Sequence, residues 1–323
     1  MQTLNWNHQQ LGYEFHCVKG VDGIQLGLHR VFKRSSIGTP VLMLADFMED
    51  AEVFFPKLLE SRFDDERGIA PMLAAAGYDV FILDLRGKGR SWPAVKGSAN
   101  WGLHQAILED IPHHLSAVAR LRPGCPQVWL GKGLGSVLFA STYARLDVLP
   151  AKVLGMVHLA AGRRARLSTL RKSLRDMAWR GAQIASGFFF GRVMGTFLGR
   201  SQESRQLACE WRHWKVATDW IDPGDRFDYR HGLARKALPP SLYLCPQNNK
   251  RSGDLADCRL WLEELGEHDA RIVPISRLAG NRHNYSACSL LSHRDAMADH
   301  LPDLLAWLDY TSKDKPLFAK KTA

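Results

Sequence analysis

The segment Gly131-Lys132-Gly133-Leu134-Gly135-Ser136 is the first place in this chain where residue types and spacing could do chemistry. A glycine-rich turn that feeds a helix can cradle a phosphate on backbone N–H groups. A phosphate loop needs four residues between its first glycine and a Gly-Lys-Ser/Thr triplet, and this segment lacks that spacing. His104, Asp110, His113 and His114 could be drawn as a metal cluster, but adjacent helical residues point about 100° apart and share no ligand face. They read as solvated helix residues, and no metal or other cofactor is expected. Six cysteines (Cys17, Cys125, Cys209, Cys245, Cys258, Cys288) show no paired spacing, which argues against a zinc site and against a disulfide framework.

Charge is concentrated. The formal net charge is +10, and residues 162–215 hold twelve basic residues against three acidic ones, Asp176, Glu203 and Glu210. Arg163, Arg164, Arg166, Arg171, Lys172, Arg175 and Arg180 form the densest part, a basic patch suited to an anionic partner. Gly187, Gly191, Gly195 and Gly199 recur every fourth residue beside Phe188, Phe189, Phe190, Val193, Met194, Phe197 and Leu198. On a helix such glycines would make one side-chain-free stripe. Each costs about 1 kcal/mol relative to alanine, so close packing would have to compensate, either over the protein's own pocket or against a second copy in a homo-oligomer. The arginines and phenylalanines together also suit an anionic membrane surface. No nucleic acid is expected, since no binding fold accompanies the arginines.

The elements that must position these residues alternate. Tyr13–Val18 and Gln25–Phe32 flank a Gly20-Val21-Asp22-Gly23 turn and predict an antiparallel hairpin. Val41–Leu44, Val80–Leu83, Gln127–Leu130, Val153–Leu159, Ser241–Leu244 and Ala270–Pro274 are short and predominantly apolar, as buried parallel strands are. Helices are expected at Gly68–Ala76, Trp101–Leu121, Ser136–Leu146, Leu255–Leu265 and about Arg294–Leu308. Residues 162–235 contain no convincing strand and read as helical. The result is an α/β architecture with a doubly wound, mostly parallel sheet and a helical cap inserted after the sixth strand. The core comprises residues 1–161 and 236–310, the cap 162–235, and a basic flexible tail 311–323. Met1–Trp6 has no basic or apolar leader pattern, and Ile184–Leu198 is too short to span a bilayer. A cytoplasmic protein, with a membrane-peripheral option, is expected.

Gly77-Tyr78-Asp79-Val80-Phe81-Ile82-Leu83-Asp84-Leu85-Arg86-Gly87-Lys88-Gly89-Arg90-Ser91 resembles, almost letter for letter, a run of the α/β-hydrolase superfamily, particularly its lipase-like and lysophospholipase-like serine hydrolases. The turn at Gly131–Gly135 and the closing helix that ends Leu304-Leu305-Ala306-Trp307-Leu308 fit the same resemblance, which covers about Tyr13 to Leu308. The resemblance implies a nucleophilic serine on a G-x-S-x-G elbow, an acid after the strand that follows the cap, a histidine in a late loop, and an oxyanion region after the third strand.

At each of those positions this chain departs. Gly133 stands where the serine would be and has no side chain to attack a carbonyl; Ser136 lies three residues on, already in the helix. Asn249, or Asn248, stands at the acid position, and an amide cannot stabilise an imidazolium by charge. Ala287 and Ser289 stand at the histidine and its following aspartate; with a slipped alignment His283 becomes the base. The oxyanion region, Ala45, Asp46, Phe47 and Leu134, carries a carboxylate that would repel developing negative charge. The sequence therefore leads to a hydrolase scaffold that has lost its triad and binds a small apolar or acyl ligand, or a partner, through its pocket and basic cap. An atypical esterase or lipase using His283, and a membrane-peripheral or oligomeric scaffold, are the alternatives.

Overall fold

Apolar runs with no polar alternation cannot lie on a surface, and the five from Val41–Leu44 to Ser241–Leu244 are buried on both faces, while Ala270–Pro274 lies at the edge. A computed structural model describes residues 2–6, 9–55, 68–165, 170–193, 201–247 and 253–312. The strands are β1 (Gln2–Trp6), β2 (Gln9–Lys19), β3 (Gln25–Lys33), β4 (Pro40–Leu44), β5 (Asp79–Leu83), β6 (Gln127–Lys132), β7 (Val153–Leu159), β8 (Arg192–Val193), β9 (Glu203–Ser204), β10 (Ser241–Pro246) and β11 (Ala270–Ile275). Nine of them form one sheet in the order β1-β2-β3-β5-β4-β6-β7-β10-β11. Pairing is antiparallel from β1 to β5 and parallel from β5 to β11. Side chains alternate between two apolar layers: Leu42 and Trp129 face one, Val41, Met43 and Val128 the other.

The helices are α1 (Ile69–Ala75), α2 (Leu103–Gln105), α3 (Ile111–Leu121), α4 (Leu134–Arg145), α5 (Leu170–Phe190), α6 (Arg205–Val216), α7 (Tyr229–Ala234), α8 (Leu255–Leu265), α9 (Ser289–Ser292), α10 (Ala296–Asp299) and α11 (Leu301–Ser312). The helix expected over 101–121 carries a π turn at Ala106–Asp110 between α2 and α3. Pro112 has no N–H for a carbonyl one turn back, so the ladder widens just before it. The closing helix is split into α10 and α11, and α11 runs to Ser312 with Thr311 buried. The expected tail therefore begins later than Thr311; residues 313–323 lie outside the described residues.

Between β7 and β10 lie α5, β8, β9, α6 and α7. The expectation of an insertion without strands is corrected by the two-residue pair β8–β9. The continuous glycine stripe is also corrected. Gly191 has φ +64, a left-handed conformation that ends the helix at Phe190. A Cβ on Gly191 would meet Gly97, and one on Gly187 would meet the Arg205 side chain at 3.5 Å. Both close approaches are therefore within this chain, and Gly195 and Gly199 lie outside the described residues. Trp214, Trp220 and Tyr229 of this insertion pack with Trp261 of α8 in the same buried cluster as Trp129.

The Asp84–Ser91 run is structural. The Asp84 carboxylate is buried and accepts from His29 Nε2 (2.9 Å), Arg90 N (2.9 Å) and Ala51 N (3.0 Å). Burial pushes its pKa up, but His29 and the amides outweigh burial and hold it below the usual carboxylate range. Gly89, at φ +45, is where a Cβ would collide with that carboxylate. Ser91 Oγ donates to the Asp84 carbonyl and accepts from Gly27 N, both at 2.9 Å.

Beneath this hub, His114 Nε2 donates to the Asp84 carbonyl at 3.1 Å. Burial lowers its pKa to about 4, and burial lowers that of His158, stacked on Tyr243, to about 3. Both are neutral in the fold, whereas the unfolded chain takes up protons below about pH 6.5. Stability is therefore fully present above that pH and is lost as pH falls toward 4, by on the order of 3 kcal/mol for His114 alone. Urea midpoints measured from pH 7.5 to 4.5 should hold steady above 7 and then fall, with a shallower fall in His114→Gln. An equal slope in that variant would remove His114 from the account.

Candidate active site at the Gly133 turn

β6 ends in Lys132 and α4 begins at Leu134, so one residue makes the reversal. Gly133 adopts φ 50, ψ −115, which glycine tolerates at little cost, and its N–H donates to the Leu159 carbonyl at 2.9 Å. The flanking glycines permit close packing. A Cβ on Gly131 would collide with the Ser136 backbone, and one on Gly135 with the Leu44 carbonyl. Gly-x-Gly-x-Gly spacing thus lets the first turn of α4 sit against β4 and β6. Ser136 is buried and its Oγ donates to the Gly131 carbonyl at 2.6 Å, so it is a structural hydroxyl.

β4 leads to β5 on one side and pairs with β6 on the other, which makes the C-terminal ends of β4 and β6 a topological switch point, where ligands bind in open α/β sheets. The loop after β4 and the turn at Gly133 meet there. The fold's oxyanion hole is built from the N–H after the nucleophile position and an N–H of this loop. Both donors are present and both are occupied: Asp46 Oδ1 accepts from Phe47 N and from Leu134 N, each at 2.7 Å. A Cβ on Gly133 would collide with the Asp46 carboxyl group. Asp46 therefore fills the space that a side chain at position 133 would enter and saturates both converging amides.

The Asp46 carboxylate, expected to repel developing negative charge, is held here on two backbone amides. Two converging amides and the positive end of the α4 dipole favour a carboxylate, so the residue that would oppose an oxyanion stands in its place. Ala45, the remaining residue of the expected oxyanion region, turns its carbonyl toward Gly135.

The loop is clamped. Lys132, which is buried, places Nζ 2.6 Å from both carboxylate oxygens of Glu49. Met48 N donates to Glu203 Oε1 at 2.9 Å, and Lys88 Nζ pairs with that same oxygen. Ser201 N donates to the Met48 carbonyl at 3.0 Å, and Ser201 Oγ donates to Asp50. The cavity behind Asp46, lined by Leu44, Lys88, Asp110, Leu134 and Glu203 among others, has a volume of about 20 Å³, room for about one water. A larger groove, about 960 Å³, lies at the opposite end of the strands, beside Lys152, Val153, Lys236 and Pro240.

The other expected site residues are scattered. Asn249 and Asn248 lie outside the described residues. Ala287 packs, half-buried, against the apolar layer that contains Tyr285 and Leu290. His283 Nε2 is 2.6 Å from Asp295 Oδ2, and its ring lies 4.4 Å from that of His293. These three residues offer ligand atoms within 4.8 Å of one another, as do His104, Asp222 and Asp225. The last group is tied internally: His104 Nδ1 to Asp222 at 2.7 Å, and Tyr229 to Asp222. Sequence spacing hid both groups, because their members come from different loops.

Within the basic patch, Arg163 is a correction. It is fully buried, with Nε and Nη2 on Glu264 (2.8 and 2.7 Å) and further bonds to the carbonyls of Trp214, Ala217, Thr218 and Asp219. Those partners consume the guanidinium, so it cannot meet an external anion. Arg164 pairs with the same glutamate at 2.6 Å. Arg166 lies outside the described residues; Arg171, Lys172, Arg175 and Arg180 are positions on α5.

Sheet order, switch point and strand–glycine–helix turn define an α/β-hydrolase-fold protein. Residues 62–220 match the family described as serine aminopeptidase, S33. The fold is shared with a carboxylesterase of Nitrososphaera gargenis (11% identity, 94% of this chain and 100% of that one, TM-score 0.57). An esterase from Exiguobacterium antarcticum (12%, 92% and 99%, 0.55) and one from Pyrococcus furiosus (10%, 94% and 90%, 0.55) are similar in the same way. No curated protein matches this chain in sequence.

Gly133 and Asp46 should be energetically coupled. Gly133→Ser should destabilise by about 2–3 kcal/mol, from a side chain at positive φ and from the collision. Asp46→Ala should cost about 1–3 kcal/mol in lost hydrogen bonds. The double variant should be more stable than the sum by at least about 1 kcal/mol in urea unfolding. Strict additivity would mean that Asp46 does not occupy the nucleophile's space.

Proposed function

We propose that this protein uses the α/β-hydrolase scaffold to bind rather than to hydrolyse by a serine mechanism. The observation that carries this reading is the Asp46 carboxylate on the amides of Phe47 and Leu134, over a Gly133 that has no side chain. A substrate carbonyl would find its two stabilising donors taken and no nucleophile on the turn. An acyl ligand is the class the scaffold suits. With only about 20 Å³ behind Asp46, its entry requires residues 45–50 to withdraw and Lys132 and Glu203 to exchange partners.

Ester hydrolysis is the second reading. It is supported by the esterases that share the fold and by the His283–Asp295 pair at 2.6 Å, which could orient an imidazole to activate water. Hydrolysis of short and medium-chain p-nitrophenyl esters separates the two. The expected result is no turnover by wild type above buffer. Measurable turnover is expected from a repaired variant that combines Asp46→Gly, Gly133→Ser, Asn249→Asp and Ala287→His. Wild-type turnover that His283→Ala abolishes would replace the binding reading with an enzyme built on His283.

A further inference from the structure

We propose that α5 docks this protein on an anionic lipid surface, with its outward apolar stripe entering the interface and its arginines meeting lipid phosphates. This inference does not depend on the chemistry at Gly133. Met177, Ile184, Phe188, Phe189 and Phe190 are exposed by 66, 57, 75, 76 and 57%. At about 100° per residue, positions 177, 184 and 188 fall within about 40° of one another, and the exposed Gly181 and Ala185 continue the same face. Gln183 and Gly187, on the opposite side, are buried against the protein. The helix thus presents to solvent the kind of side chain that its own core would accept.

Phe188 ends the stripe, and the adjacent Phe189 and Phe190, also exposed, fan around the last turn before Gly191 ends the helix; Phe188 and Phe189 meet edge to face at 5.5 Å. Keeping three aromatic rings in water forgoes roughly 1.5–3 kcal/mol each, so a surface that covers them is the simplest reason for their arrangement. Charge indicates which surface. From Met177 to Phe190 the helix contains no acidic residue, and over its whole length Arg171, Lys172, Arg175 and Arg180 stand against Asp176 alone. Arg205, exposed, packs its stem against Gly187 and adds a cation beside the helix. An exposed apolar surface on a helix whose sequence carries four cations against one anion fits a bilayer rich in anionic lipid. A second copy of this helix would bring like charges together. No helix among the described residues is long and apolar enough to cross a membrane, so the contact is with the surface.

The test is co-sedimentation of the full chain with large unilamellar vesicles, either of phosphatidylcholine alone or with roughly a third phosphatidylglycerol. Wild type should bind the anionic vesicles at least about tenfold more tightly, and added salt should weaken that binding. The triple variant Phe188→Ser, Phe189→Ser, Phe190→Ser should lose binding by at least about tenfold, with its thermal midpoint unchanged because the rings are exposed. Arg171→Gln with Arg175→Gln and Arg180→Gln should remove the preference for anionic lipid while leaving the phenylalanines in place. Equal partition of wild type between the two vesicle types, or no binding to either, would overturn the proposal. So would a wild-type dimer by light scattering that the phenylalanine variant converts to monomer.

Discussion

A chain that leaves a buried strand and enters a buried helix within one residue must make that residue left-handed or nearly so. It must also keep the residues two before and two after it free of side chains. Gly131, Gly133 and Gly135 meet this constraint, and the rest of the site follows from it. The first turn of α4 is pressed against β4 with the Leu134 amide pointing toward the loop after β4. The Phe47 amide converges on the same point. Two amides aimed at one spot in a dry place demand an acceptor. Here that acceptor is part of the chain, the Asp46 carboxylate, and the bare Gly133 makes room for it, because a Cβ at that position would collide with the carboxyl group.

The sheet was legible in the sequence because parallel strands buried on both faces must be apolar throughout, and Val41–Leu44 or Val80–Leu83 can hardly be anything else. The run from Asp84 to Ser91 was legible for a different reason: Asp84, Gly89, Arg90 and Ser91 close on one another, so their spelling is fixed by geometry rather than by catalysis. β1 went unseen because Gln2–Trp6 is polar and pairs only at the sheet's edge. The glycine stripe misled because a period of four says nothing of φ, and Gly191 terminates what the period would continue. Asp46 was noticed but its partners were not, since a carboxylate's neighbours in space, two amides and a helix N-terminus, come from different parts of the chain. The acid position at Asn249 remains a reading of the sequence.

Charge behaves similarly. Arg163, Lys132 and Lys88 are cations by composition, yet each is buried beside a carboxylate: Glu264, Glu49 and Glu203 respectively. Such pairs contribute little net stability over an apolar replacement but make removal of one partner costly. They fix the loop after β4 to β6, the loop after β5 to β9, and the segment after β7 to α8. The basic excess available to the outside is accordingly smaller than a count suggests.

Arg163 also divides the insertion into parts of unequal independence. Its guanidinium reaches back from the segment after β7 to the carbonyls at 214 and 217–219 and to Glu264 on α8. Residues from α6 onward, with Trp214, Trp220 and Tyr229, are therefore masonry of the main body, although they lie between two of its strands in sequence. α5, whose main described contacts are with β8 and α6 of the same insertion, is the ornament. Over evolutionary time the first kind of segment is constrained to drift slowly with the core, while the second can be lengthened, shortened or exchanged. Relatives of this protein would then differ most in the element that faces outward and least in the one that Arg163 holds.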